Sequence, residues 1–144
     1  KLPMTIELYY TEELNSISIN GSGSVTSKSV IITPEMSIRI NGSGDVALKA
    51  EVENLEIGIR GSGSVRIEGY GKEAGVGISG SGDVELFDFE LNAMAVSVNG
   101  SGSVEAFVNN MLKVNVNGSG DVYYKGNAKT NISTNGSGEV KRVN

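Results

Sequence analysis

Asp45, Asp83 and Asp121 each directly follow a Gly-Ser-Gly triplet, and in this 144-residue chain they are the residues whose type and spacing come nearest to a reactive site. Carboxylates in a row can hold hard cations, and two of them about 5–9.5 Å apart can carry out acid–base hydrolysis of a glycosidic bond. Other copies of the triplet are followed by Ser24, Ser64 and Ser103, and the last by Glu139, so acid alternates with hydroxyl through six copies. Carboxylates one strand spacing apart repel by about 0.9 kcal/mol in water, and doubling the spacing halves that. A serine between two aspartates can donate a hydrogen bond to either. The pattern therefore reads first as a charge-spaced structural ladder, and second as a row of Asp45, Asp83 and Asp121 that binds cations or a ligand. Calcium-binding rolls carry their aspartate in every nonapeptide, whereas here it occurs once per repeat and in alternate copies. No catalytic, cofactor-binding or metal-binding residue is assigned on this basis, and the ligand-binding residues are unknown.

The elements that position these acids are set by a recurring hexapeptide, Asn-Gly-Ser-Gly-Asp/Ser-Val. It runs Asn20 to Val25, Asn41 to Val46, Arg60 to Val65, Ser79 to Val84, Asn99 to Val104, Asn117 to Val122 and Asn135 to Val140. Its first glycine falls at 21, 42, 61, 80, 100, 118 and 136, giving steps of 18–21 residues, a period that marks a solenoid. One residue before each copy lie Ile19, Ile40, Ile59, Ile78, Val98, Val116 and Thr134, and three before it Ile17, Ile38, Ile57, Val76, Val96, Val114 and Ile132. These columns share one parity, as a strand with one apolar face requires. A valine follows every turn and resumes the same parity. The intervening Ser18, Arg39, Gly58, Gly77, Ser97, Asn115 and Ser133 face outward. The rest of each repeat varies in length and composition, as a loop side does.

A repeat of about 20 residues with short strands and no helical pattern cannot bury its own apolar face, so the copies must stack. The expected fold is all-β: a single-stranded right-handed parallel β-helix (β-solenoid) of about seven rungs, roughly 35 Å long. One Gly-rich corner per coil and a drifting coil length favour the right hand over a left-handed helix of three equal hexapeptides. Residues 1–144 are expected to form one β-helix domain, with 1–14 an N-terminal strand and cap region and 15–144 the repeats. Residues 4 to 10 alternate as a half-buried strand, and Thr11-Glu12-Glu13 breaks that pattern. In the corners, stacked asparagines should exchange amide hydrogen bonds, interrupted at Arg60 and Ser79. Phe87, Phe89 and Phe107 read as cover over the core under a variable loop, with an exposed stacking patch as the alternative.

Composition narrows the function. The absence of His and Cys removes Ser-His-Asp chemistry, thiolate nucleophiles and the commonest metal ligands. The net charge of −5 with no Lys/Arg cluster argues against nucleic acid as a partner. No apolar stretch of 18 residues could span a bilayer. The opening Lys1-Leu2-Pro3-Met4 has no basic-then-apolar leader, so a signal peptide is not in this chain.

The repeated blocks Ile38-Arg39-Ile40-Asn41-Gly42-Ser43-Gly44-Asp45-Val46 and Val96-Ser97-Val98-Asn99-Gly100-Ser101-Gly102-Ser103-Val104 give the chain its family likeness. It resembles the head GIN domain family, described as putative auto-transporter adhesins of Gram-negative bacteria, over roughly residues 4 to 140. The resemblance implies a right-handed β-helix, export to the envelope or beyond, and an adhesive role, and it supplies no catalytic residues. The leading expectation is thus a non-enzymatic, secreted or cell-envelope binding module that meets a glycan, matrix or surface protein and needs no cofactor. The alternatives are a scaffold that self-assembles through its solenoid ends, possible as a homo-oligomer, and, less favoured, a polysaccharide-active enzyme using Asp45 and Asp83. Lys141 and Arg142 near the end of the chain would discourage end-to-end pairing.

Overall fold

The structure, a computed structural model, describes residues 4–8 and 16–143. Tyr9, Tyr10, the break at 11–13 and Asn15, the first member of a third apolar column, lie outside the described residues.

Among the described residues ten strands run in chain order: β1 (Met4–Leu8), β2 (Ser16–Gly21), β3 (Gly23–Gly42), β4 (Asp45–Gly61), β5 (Ser64–Gly80), β6 (Asp83–Gly100), β7 (Ser103–Gly118), β8 (Asp121–Lys125), β9 (Lys129–Asn135) and β10 (Val140–Arg142). Every pairing is parallel. Each strand from β3 to β7 winds round a whole coil and pairs with the coil before and after it, which makes a β-solenoid of about seven turns with no helix among the described residues. From β3 to β7 the short strand after one Gly-Ser-Gly corner and the apolar strand before the next are joined through the variable segment, expected to be a loop, into one long strand per coil, and the breaks fall at the Gly-Ser-Gly corners. Rung-to-rung hydrogen bonds persist through the variable segment and satisfy its backbone.

The apolar columns lie inside as the parity required. Ile38, Ile57, Val76, Val96 and Val114 are buried one above another, as are Ile40, Ile59, Ile78, Val98 and Val116. In β4 the alternation Val46, Leu48, Ala50, Val52 ends where Glu53 and Asn54 are both exposed, and burial resumes at Leu55 with shifted parity. The two consecutive exposed residues shift the phase by one and turn the coil there. Strand β3 keeps two polar groups inside, Ser27 and Thr33, and each donates to a nearby backbone carbonyl, of Ser29 and Glu35 respectively. In β9 the column residues Thr130, Ile132 and Thr134 are exposed, because among the described residues β9 pairs only with β7.

The Gly-Ser-Gly corner explains itself sterically. The first glycine adopts φ between 108° and 124° in all seven copies, a region costly for any residue with a Cβ. The second glycine points inward: a Cβ on Gly63 would lie 2.5 Å from the Gly44 carbonyl oxygen and 2.7 Å from Cγ2 of Ile40. The corners are hydrogen-bonded as well, with the Ser62 N–H donating to the Gly42 carbonyl (3.0 Å) and the Ser64 N–H to that of Gly44 (3.1 Å).

Candidate functional site

The aspartates of the corner lie where the ladder reading put them. Asp45, Ser64, Asp83, Ser103 and Asp121 form one column in register, so the acids stand two rungs apart. The Ser64 hydroxyl donates to Asp45 (2.6 Å) and that of Ser103 to Asp83 (2.7 Å), while Asp121 accepts from the Glu139 backbone N–H (3.1 Å). Among the described residues no group of three or more acidic side chains is placed to hold a metal ion. Beside this column, Asn41 donates to Asn20, Asn117 to Asn99 and Asn135 to Asn117 at 3.0–3.1 Å, with the expected break at Arg60 and Ser79. The corner's asparagine and aspartate side chains are thus engaged by neighbouring rungs.

The other side of the coil behaves differently. Here the register slips: Ser27 to Ser29 stand against Leu48 alone, and three residues, Phe87 to Phe89, have no counterpart in β7. Insertion bulges the strand and changes which side chains face out. Of the three phenylalanines, Phe89 turns inward and is fully buried, whereas Phe87 and Phe107 are half-buried outside, their ring centroids 5.5 and 5.0 Å from Nζ of Lys125. Both distances are within cation–π range. Part of the aromatic set covers the core and part forms a surface feature.

Between the slips, one outward row crosses four rungs: Ile32, Glu51, Tyr70 and Glu90. Ile32 is 68% and Tyr70 58% exposed, and Val30 is exposed beside them. The Tyr70 hydroxyl donates to Glu51 Oε1 (2.9 Å), and that carboxylate, through the hydrogen bond and then its charge, raises the phenol's pKa above its ordinary value. Asn109 donates to Glu90 (2.6 Å), and Lys72 pairs with Glu53 (3.1 Å). Tyr70 thus stands as a fixed aromatic platform between two shallow depressions of about 450 Å³. One is lined by Ile32, Pro34 and Lys72, the other by Glu90, Asn92 and Asn109. The row escapes an alignment built on the Gly corner, because the insertion at 27–29 displaces Ile32 from its partners. Its only trace in the sequence is the run Val30-Ile31-Ile32, in which apolar residues occupy both parities.

These features can be set beside known proteins. No curated protein matches the chain. Among solved structures, a putative adhesin from Bacteroides fragilis is 28% identical with a TM-score of 0.86, over 90% of this chain and 61% of that one. A putative adhesin from Parabacteroides distasonis is 29% identical with a TM-score of 0.88, over 98% and 58%. A putative lipid binding protein from the same organism, 24% identical with a TM-score of 0.88 over 99% and 58%, shares the fold. The chain spans about three fifths of the length of each of these. The family described as putative auto-transporter adhesin, head GIN domain, matches residues 1–128, and the chain belongs to that family.

Proposed function

We propose that the chain is a non-enzymatic, adhesin-like binding module of the bacterial envelope or cell surface, and that the Tyr70 row is where it meets its partner. The observation that carries this reading is the exposure of Ile32 and Tyr70 on a sheet face that also presents the carboxylates of Glu51 and Glu90 and the amide of Asn109. A sugar ring offers an apolar C–H face to such a platform and hydroxyls to Glu51, Glu90 and Asn109. A shallow, repetitive surface favours extended, multivalent contact over capture of a small molecule in a cleft. Family membership supports the adhesive role and an envelope location.

The test is binding of the folded chain to a glycan array, to immobilised matrix proteins and to whole cells, beside the variant carrying Ile32→Ser and Tyr70→Ala. The wild-type chain is expected to bind, and the variant to lose about tenfold or more in affinity while keeping its β-sheet circular dichroism. Absence of signal above background on all three surfaces sinks the reading. Binding to neutral liposomes alone would replace it with a lipid-binding role.

A further inference from the structure

The outward columns of the constant side carry their own irregularity, and it is concentrated in one place. In the column Ser18, Arg39, Gly58, Gly77, Ser97, Asn115, Ser133, a guanidinium is followed by two glycines. In the column Asn20, Asn41, Arg60, Ser79, Asn99, the asparagine ladder is given up at the same rungs. Arg39, Arg60, Gly58, Gly77 and Ser79 all line one depression of about 770 Å³. Departures from a repeat's own pattern that converge in space, at a loss of local regularity, mark function more often than accident.

The two glycines have no steric reason to be glycine. Neither has positive φ, and a Cβ on Gly58 or Gly77 would meet nothing within 4 Å, unlike the corner glycines. Glycine within a strand weakens it and is used where something must approach the backbone closely. The arginines are equally unusual. Lys49 and Arg66 have acids in register, Glu68 and Glu85, and Lys72 is paired with Glu53. Arg39 and Arg60 stand opposite Ser18 and Gly58, and Asn41 and Ser79, and no hydrogen bond or ion pair to them is formed among the described residues. They are diagonal neighbours on adjacent rungs, with backbone positions on the order of 8 Å apart. Glu56 is the one acid lining the depression, and its carboxylate extends over Gly75, its register partner in the next rung, on the side away from the Arg39 rung.

We propose that this depression binds an anionic polysaccharide, with a carboxylate or sulfate held between Arg39 and Arg60 and the sugar ring lying flat on Gly58 and Gly77. Guanidinium forks match the planar geometry of a carboxylate, and two of them in a protein of net charge −5 form a local attractor for anions. A side-chain-free floor admits the face of a ring where any larger residue would hold it off. The site lies on the constant side of the coil, away from the Tyr70 row, and stands whether or not that row binds a partner.

Polygalacturonate and dextran sulfate serve as probes, with neutral dextran and phosphatidylglycerol vesicles as comparisons, by isothermal titration of the full chain. Polyanion binding is expected to weaken with salt, and to fall by at least about tenfold in the Arg39→Gln/Arg60→Gln variant. Lys49→Gln/Arg66→Gln, which removes the same charge from another face, should leave it within about twofold. The Gly58→Val/Gly77→Val variant should bind as weakly as the arginine variant while melting at a higher temperature, an outcome no structural role of the glycines would produce. Equal losses in the two charge variants, undiminished binding in the valine variant, or binding to vesicles without binding to polyanion would each overturn the proposal. Ile32→Ser/Tyr70→Ala is expected to bind polyanion unchanged, which keeps this site's failure separate from that of the Tyr70 row.

Discussion

At the Gly-Ser-Gly corner the same residue types recur rung after rung, whereas on the variable side Ile32, Glu51, Tyr70 and Glu90 share one row without a common type. The corner repeats because its backbones approach so closely that few residues fit, and its asparagine and aspartate side chains bond to adjacent rungs. The variable side repeats only where it faces the core. Its outward residues are released from the ladder, and insertions can re-aim them without disturbing the corner. Regularity in this molecule therefore tracks packing constraint, and functional interest is highest where the pattern is broken without a packing reason.

The sharpest way to break that comparison is to make one substitution at two glycines three residues apart in β5. Gly80 has φ 121°, and a Cβ there would lie 2.6 Å from the Gly61 carbonyl oxygen, whereas Gly77 has open space around it. Gly80→Ala is expected to destabilise the fold by about 3 kcal/mol or more, from backbone strain and overlap together. Gly77→Ala should be neutral or stabilise it by about 0.5–1 kcal/mol. Urea unfolding of both variants measures the difference, and similar midpoints would remove the distinction between constrained and free glycines.

A smaller effect tests the acid–hydroxyl alternation. Ser103→Asp puts carboxylates on three consecutive rungs, with Asp83 below and Asp121 above, and removes the donor that Asp83 now has. Two new neighbouring repulsions of about 0.9 kcal/mol each give a loss of about 2 kcal/mol at low salt. Raising the salt to molar strength should recover much of it. A loss that is indifferent to salt would mean that shape, not charge, selects serine there.

Much of this architecture can be read from the chain because its signals are local and multiplied. Seven aligned copies make the inward parity of Ile57 or Val96 unmistakable, and the Asn-Gly turn names its own geometry. The candidate sites are harder to read, since each rests on register across an insertion or on what is absent. Phe87 and Phe89 differ in parity by none, yet one is outside and one inside, because the three-residue insertion bends the strand between them. Gly58 and Gly77 look like neutral members of an outward column until coordinates show that nothing occupies the space beside them. The lining of the Arg39–Arg60 depression joins residues about 20 positions apart, and only the stacking of the coils brings them together.

The smallest effect concerns Glu85 and Glu105, which stand directly opposite on adjacent rungs of β6 and β7 at the border between the two regions. Like charges facing each other across strands are destabilising. Burial first, and the charges of Glu85 and Asp83 after it, raise the pKa of the Glu105 carboxyl above its ordinary value. A carboxyl with a raised pKa in the fold favours folding when protonated. Its destabilising effect is thus absent below the unfolded pKa and grows as pH rises through the folded one. Glu105→Gln removes the ionising group and should raise stability at pH 7 by about 0.5 kcal/mol. The gain should shrink as the pH falls from the raised folded pKa to the ordinary carboxylate value, and be gone below it. Unfolding free energies of the two proteins from pH 3 to 8 check this, and curves that stay parallel, or a variant less stable at neutral pH, would show that the Glu85–Glu105 contact is part of a hydrogen-bonded arrangement like that of the corner rather than an unrelieved repulsion.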